Sequence, residues 1–317
     1  MLLRDVIKEG VSTLSRLYPE REAREMVYVC LEKLLGTTRH THILEPDYQV
    51  DDEYLAAVRD SFAKMASGHP LQYVLKEAWF YGRKFNVSPD VLIPRPETEI
   101  LCRTILVDVR DGGDRNLQIR ETGISPAAGL PVRILDMCTG SGCIAWTLAL
   151  EMPGAEVVAV DISDGALEIA GSQDFAEEIS CTSALSPVFF KADVLGQPLE
   201  GLGQFDIITA NPPYVMESEK ALMRINVLEH EPHLALFVPD DDPLLFYRAV
   251  ARWALQLLKP GGYGIVEINE ALAFATEEVF RDLCFSDVRT LKDLNDRDRF
   301  VIFHRPLIVE HSVEQFV

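Results

Sequence analysis

The chain has 317 residues, 48% of them hydrophobic and 25% charged, which suits a soluble globular protein of one large domain or two ordinary ones. A formal net charge of −20 opposes binding to long nucleic acid and favours partners with a basic surface. No apolar run reaches membrane-spanning length, and charges enter the first nine residues too early for a secretory signal, so a cytoplasmic location is expected.

Residues 1–75 are predicted to form a helical module. Leu3, Val6, Ile7, Val11, Leu14 and Leu17 fall at helical spacing before Pro19. A second helix carries Ala23, Met26, Val27, Cys30, Leu31, Leu34 and Leu35 on its apolar side and stops at Gly36. A third opens on Asp51-Asp52-Glu53 and buries Leu55, Val58, Phe62 and Met65. Residues 76–98 are expected to connect this module to the rest. They hold an aromatic hairpin around Gly82, then Ile93-Pro94-Arg95-Pro96-Glu97-Thr98-Glu99, with Pro96 suited to the first position of a helix running to about Val109. Residues 110–131 form a polar surface loop in this scheme.

From Val132 the pattern alternates. Strands are predicted at 132–136, 156–161, 188–190, 205–210, 263–268, 287–291 and 300–304, with helices at 142–152, from Ser163, at 243–258 and at 271–283. Alternation of this kind predicts a mostly parallel sheet with helices on both faces over residues 99–306, and 307–317 as a loosely held tail.

The chemistry centres on Asn211-Pro212-Pro213-Tyr214. Two prolines cannot continue a sheet ladder, so the chain leaves the sheet at Asn211 and is held extended there. Asn211 Oδ1 and the Pro212 carbonyl can accept both N–H bonds of an –NH₂ group, and Tyr214 can stack on a planar amide or base. Earlier, Asp136-Met137-Cys138-Thr139-Gly140-Ser141-Gly142 places two glycines where a strand gives way to a helix N-terminus. Asp161 ends the next strand, where an acid can accept both ribose hydroxyls. The glycine turn alone also fits a dinucleotide fingerprint. A dinucleotide enzyme has no evident need for Asn-Pro-Pro-Tyr, whereas methyl transfer from S-adenosylmethionine to a poorly nucleophilic sp² nitrogen does.

Cys30, Cys102, Cys138, Cys143, Cys181 and Cys284 form no CxxC pair, and the pairs His40/His42 and His230/His233 lack cysteine partners. These argue for reduced thiols and against a metal site.

Taken together, these motifs resemble the HemK/PrmC family, the glutamine N5-methyltransferases that modify peptide chain release factors. The resemblance spans about residues 68–304. It rests on Pro70-Leu71-Gln72-Tyr73, on Phe80-x-Gly82-x-x-Phe85-x-Val87, on Val91 to Glu99, on Ile134 to Ala145 and on Asn211 to Tyr214. It implies a seven-stranded, Rossmann-like α/β methyltransferase domain joined by a β-hairpin to a small N-terminal helical domain that helps hold the substrate. It implies S-adenosyl-L-methionine as cofactor, leaving as S-adenosyl-L-homocysteine, and the glutamine of a Gly-Gly-Gln loop in class I release factors as substrate. By motif position, Cys138, Thr139, Gly140, Ser141 and Gly142 line the methionine and ribose side, Asp161 binds ribose, and Asp193 and Val194 flank adenine. Asn211 touches cofactor and substrate amide, Pro212, Pro213 and Tyr214 complete the amide pocket, and Arg95, Glu97 and Thr98 close over the site. The chain departs from the family at Cys138, where glycine is usual, and at Val194, where an aromatic residue often stands. It also lacks the asparagine often found in the 166–176 region.

Two other functions use the same residues. A nucleic-acid amino-methyltransferase would place adenine or guanine in the Asn211 pocket, which requires base flipping and a basic face. An inactive module would only dock a translation factor, against which the intact Gly140, Gly142, Asp161 and Asn211 speak. A nicotinamide dehydrogenase lacks any placed His or Lys acid–base group.

Overall fold

The computed structural model describes residues 1–111 and 131–307. Most of the predicted polar loop and of the predicted tail therefore lies outside the described residues. The described chain divides into two compact units. One is Met1–Ala78 with Val87–Pro89 and Leu222–Glu231; the other is Trp79–Asn86, Asp90–Ala221 and the chain from Pro232 onward.

In the first unit, helices Leu3–Leu14, Glu20–Leu35 and Asp52–Ala66 pack around Leu3, Leu14, Val27, Cys30, Val58, Phe62 and Met65. The predicted apolar stripes hold except at Leu17. The first helix ends at Leu14, so Leu17 has left the helical register and is exposed. Gly36 takes a left-handed conformation, φ 68°, and its N–H caps the second helix on the Glu32 carbonyl at 2.9 Å. Two short helices, Thr41–Leu44 and Leu71–Leu75, are too brief for their period to be visible in sequence. The Leu222–Glu231 segment belongs to this unit: Arg224 pairs with Glu22 at 3.1 Å, and the His230 ring packs on His69 at 4.2 Å between centroids.

The aromatic hairpin pairs β1 (Glu77–Phe80) with β2 (Arg83–Asn86). Tyr81 and Gly82 both take positive φ, 49° and 75°, the two-residue turn whose twist matches its strands. Phe80 and Phe85 are buried edge to face, and Arg83 pairs with Glu151 and Glu178. The proline segment then enters a helix at Thr98–Asp111, two residues later than the predicted start at Pro96. Arg95 precedes a proline and is disfavoured from helical backbone, so the chain first makes a tight turn, with the Pro96 and Glu97 carbonyls accepting from Glu99 and Ile100 at 3.2 and 3.0 Å.

The strands β3 (Arg133–Met137), β4 (Glu156–Asp161), β5 (Val188–Lys191) and β6 (Phe205–Ala210) follow in chain order. A small parallel pair, β7 (Val215–Met216) with β8 (Phe237–Val238), was not expected from sequence, because two residues carry no alternation. The chain closes with β9 (Leu258–Glu267), β10 (Ser286–Lys292) and β11 (Asp298–His304). The main sheet has seven strands in the order β10-β11-β9-β6-β3-β4-β5. It is parallel from β5 to β9, and β11 and β10 are antiparallel. β9 starts five residues before its predicted position, running through Lys259-Pro260-Gly261-Gly262. The single helix expected after Ser163 is two, Asp164–Gly171 and Ala176–Thr182.

Alternate residues of the strands feed two apolar layers. Ile134, Ala159, Ile207 and Ile265 face the helices Thr98–Asp111 and Cys143–Glu151. Leu135, Val160, Ile208 and Val266 face Leu245–Leu257 and Ala273–Asp282. At the amino ends of the strands, Asp206 accepts from the Arg133 N–H at 2.8 Å and from Lys259 at 2.8 and 2.9 Å, tying β3, β6 and β9 together.

Gly264 on β9 lies under the Phe303 ring, 2.1 Å from where a Cβ would stand. Gly264→Ala is expected to destabilise the fold by about 1–3 kcal/mol through overpacking, read as a lower denaturant midpoint at unchanged slope.

Candidate active site

From β3 the chain works outward through β4 and β5, and from β6 it works outward in the other direction to β9. The carboxyl ends of β3 and β6 therefore flank the topological switch point, where open α/β sheets bind ligands. Cross-strand register sets Met137 beside both Val160 and Ala210, and Ala210 beside Val266. The residues that follow them, Cys138, Asp161, Asn211 and Glu267, thus emerge along one edge.

Cys138, Gly140 and Gly142 all take left-handed backbone, φ 59°, 54° and 77°. Gly142 is confined, since a Cβ would stand 3.1 Å from both Ala170 and Trp146, whereas Gly140 has open space where its Cβ would be. That bare surface permits close approach by a ligand. Cys138 occupies a conformation that favours glycine, at a cost of roughly 1–2 kcal/mol. Burial, together with the charges of Asp161, Asp136 and Asp193, holds its thiol well above the usual range. Thr139 and Ser141 are buried, and the Thr139 hydroxyl braces the turn by donating to Asp136 Oδ2 at 2.6 Å.

Asp161 is locked by two backbone donors. The Gly140 N–H reaches Oδ2 at 2.9 Å and the Ser163 N–H reaches Oδ1 at 3.0 Å. Each oxygen keeps a lone pair for a further donor. Burial raises its pKa, and the backbone donors oppose that rise. Beyond β5, Asp193 is exposed and its Oδ1 accepts from the Leu195 N–H at 2.9 Å. Val194, expected to flank a ligand, instead points into the core and is only 5% exposed. The open apolar surface here belongs to Ile162 and Leu195, 42% and 38% exposed, which follow Asp161 and Val194 and were missed from sequence. An exposed apolar residue directly after a strand-end acid is the signal that would have found Ile162.

At the end of β6, Pro212 and Pro213 are buried while Asn211 and Tyr214 stay partly open. Tyr214 is held at both ends: its hydroxyl donates to Glu267 Oε1 at 3.0 Å, and Asn269 Nδ2 donates to its carbonyl at 3.2 Å. Burial pushes the Tyr214 phenol well above its usual range, so it remains a donor. Glu267 is 1% exposed and also accepts from the Thr98 hydroxyl at 2.7 Å. Burial raises the pKa of Glu267, opposed by those two hydroxyls and by the Arg299 charge. Thr98, expected to close over a bound cofactor, lies buried beneath the corner, within 3.4 Å of Asn211 Nδ2. Arg95 is half-buried in the proline lead-in. Glu267, Thr98 and Asn269 form a buried polar layer, of which sequence reasoning had assigned only Thr98, and to the lid of the site instead of its floor. Its visible sign was a lone carboxylate in the apolar run Tyr263 to Ile268.

Among the described residues no group of three or more metal-binding side chains gathers, and no helix is long and apolar enough to cross a membrane.

Asp136, 0% exposed, is pushed by burial up to about 7. Thr139 satisfies one of its oxygens, and that bond and the Ala145 N–H offset part of the rise. The unfolded chain gives up this proton near the ordinary value of 3.8, so stability falls as pH rises from there to about 7. Asp136→Asn removes that loss. It is expected to change stability little near pH 4 and to raise it by roughly 1–3 kcal/mol at pH 8, measured as the difference in denaturant midpoints.

The chain matches the PrmC N-terminal domain family over residues 5–75 and the methyltransferase small domain family over residues 126–232. It is 36% identical over 302 residues to the release factor glutamine methyltransferase of Flavobacterium psychrophilum, covering 95% of this chain and 98% of that one. The proteins of the same name from Bacteroides thetaiotaomicron and Streptococcus pneumoniae are 35% and 36% identical. They cover 92% and 95% of this chain and 96% and 98% of their own. Among solved structures, the hMettl16 catalytic domain in complex with MAT2A 3'UTR hairpin 6 superimposes with a TM-score of 0.50 at 14% identity. That match spans 82% of this chain and 84% of the other, a likeness of fold. On identity sustained along nearly the full length of these relatives, the chain belongs to the release factor glutamine methyltransferase family.

Proposed function

We propose that this chain transfers a methyl group from S-adenosyl-L-methionine to the side-chain amide nitrogen of the glutamine in the Gly-Gly-Gln loop of class I peptide chain release factors, acting in the cytoplasm. Family membership supports the activity, and one feature of the site carries it. The glycine turn holds Asp161 on its Gly140 N–H at 2.9 Å and lies near the exposed Asp193, two acids whose charges reach Cys138. Such surroundings favour a cationic sulfonium and repel a pyrophosphate, which separates this ligand from the dinucleotides that a glycine turn alone would also admit.

When bound, the cofactor supplies an electrophilic methyl group. The chain's own residues do the rest. Asp161, with a lone pair left on each oxygen, accepts the ribose hydroxyls. Gly140 allows the ligand close to the backbone, and the backbone from Cys138 to Gly142 lines its methionine and ribose side. Ile162 and Leu195 offer apolar faces to adenine, with Asp193 at the rim and the Val194 side chain buried in the core. Asn211 Oδ1 and the Pro212 carbonyl accept the two N–H bonds of the glutamine amide, with Pro213 and Tyr214 walling the pocket and Arg95 near its entry. Fixing that –NH₂ group turns the nitrogen toward the methyl and steadies the positive charge that grows on it. The proton is acidic once the methyl has moved, so no strong base is needed. The net charge of −20 favours a basic protein surface over nucleic acid as substrate.

Labelled cofactor incubated with a release factor is expected to label it, and replacing the Gly-Gly-Gln glutamine is expected to abolish the label. Asn211→Ala should lower turnover at least about a hundredfold with cofactor affinity within about tenfold, whereas Asp161→Ala should weaken cofactor binding. Labelling that survives loss of the glutamine, or wild-type turnover in Asn211→Ala, overturns the assignment.

A further inference from the structure

Three side chains link the corner to the sheet beneath it. Thr98 Oγ1 lies 2.7 Å from Glu267 Oε2, Tyr214 Oη lies 3.0 Å from Glu267 Oε1, and Asn211 Nδ2 lies 3.4 Å from Thr98 Oγ1. Thr98 and Glu267 are 2% and 1% exposed, so water does not compete for these bonds. We propose that Glu267 and Thr98 are positioning residues that fix which way the Asn211 amide points, and with it the polarity of the pocket that receives the substrate –NH₂ group. This rests on the assignment of Asn211 as the residue that orients that group.

The argument is one of donors and acceptors. An ionised carboxylate only accepts. Thr98 and Tyr214 each reach a different oxygen of Glu267, the arrangement of a carboxylate that accepts at both, so both hydroxyls are committed to donating. With its one proton spent on Glu267, Thr98 Oγ1 can offer Asn211 only a lone pair. Of the two ends of the asparagine amide only the –NH₂ end can use that lone pair, so Nδ2 turns toward Thr98 and Oδ1 turns away from it, free to accept from a ligand. A flipped amide would set Oδ1 against an acceptor and present N–H groups to the substrate –NH₂, donors against donors. The same carboxylate, through Tyr214, holds the opposite wall, so a single buried charge sets the hydrogen-bond sense of both sides of the corner.

Register explains why the glutamate can do this. Ala210 pairs with Val266, so Asn211 and Glu267 are the next residues on adjacent parallel strands, and Thr98 opens its helix at their carboxyl ends. Glu267→Gln leaves one accepting oxygen where two donors need one each, so Thr98 or Tyr214 must reverse. Thr98→Val keeps the shape and removes the lone pair.

The test uses the full-length enzyme with a release factor as substrate, together with the side-chain amide signals of Asn211 in ¹H–¹⁵N spectra, which need no activity. Thr98→Val and Glu267→Gln are expected to lower kcat at least about tenfold, with cofactor Kd and substrate KM within about threefold, and Thr98→Ser to stay within about threefold of wild type. The Asn211 amide signals should shift in Thr98→Val and Glu267→Gln and not in Thr98→Ser. Wild-type kcat in Thr98→Val, unmoved Asn211 signals, or an equal loss in Thr98→Ser, which would make packing rather than the hydroxyl the cause, each overturns the proposal. If wild-type enzyme labels no release factor, the functional assignment fails, while the Asn211 signals still decide whether the relay exists.

Discussion

A parallel strand that ends in two prolines cannot hand its hydrogen bonds on to a neighbour, and that constraint shapes the site. Beyond Ala210 the backbone of β6 has no N–H to give at positions 212 and 213, so the sheet ladder stops and the corner must be held by other means. Side chains take over that task. Tyr214 is tied through its hydroxyl to Glu267 and through its carbonyl to Asn269, and Asn211 reaches Thr98. All of these supports come from the ends of β9 and from the helix after the proline lead-in, so the second pair of prolines, Pro94 and Pro96, delivers the support for the first.

The price of this arrangement is electrostatic. Asp136, Asp161 and Glu267 are all buried enough for their carboxyls to be raised, and they sit within one site of a chain already strongly acidic. Hydrogen bonds offset part of the penalty: two backbone N–H groups for Asp161, two hydroxyls for Glu267, one hydroxyl for Asp136. What remains is an unmet preference for positive charge at the glycine turn, the kind of surroundings that suit a cation.

Much of this was legible in the sequence because period and punctuation do not depend on distant contacts. The strand Glu156–Asp161, the stop at Gly36 and the exit of the chain at Asn211 follow from alternation, a left-handed glycine and paired prolines. The short pair β7 and β8, the helices of four and five residues and the division of the helix after Ser163 were hidden, since each is shorter than the window in which a period can be seen. The buried polar layer was hidden for a different reason. Thr98 and Glu267 lie 169 positions apart and meet only because the sheet order sets β9 beside β6. Motif spacing encodes neighbours along the chain, and this layer is a product of topology.

The departures from the family pattern at Cys138 and Val194 are then of different kinds. Cys138 keeps the left-handed backbone that glycine would adopt freely, so the substitution leaves the geometry of the turn in place and meets its cost as local strain. Its side chain adds a neutral, weakly polar surface beside acidic side chains, and because burial and those charges hold the thiol protonated it adds no further anion. Val194 involves no such strain. Its side chain is turned into the core beside Leu135, Val160 and Tyr247, so a branched aliphatic packs where a ring facing outward would find no open surface. The apolar surface left open here is that of Ile162 and Leu195, whose side chains remain exposed beyond the ends of β4 and β5. A motif position can thus change its residue and its direction together while neighbouring side chains keep an apolar surface open.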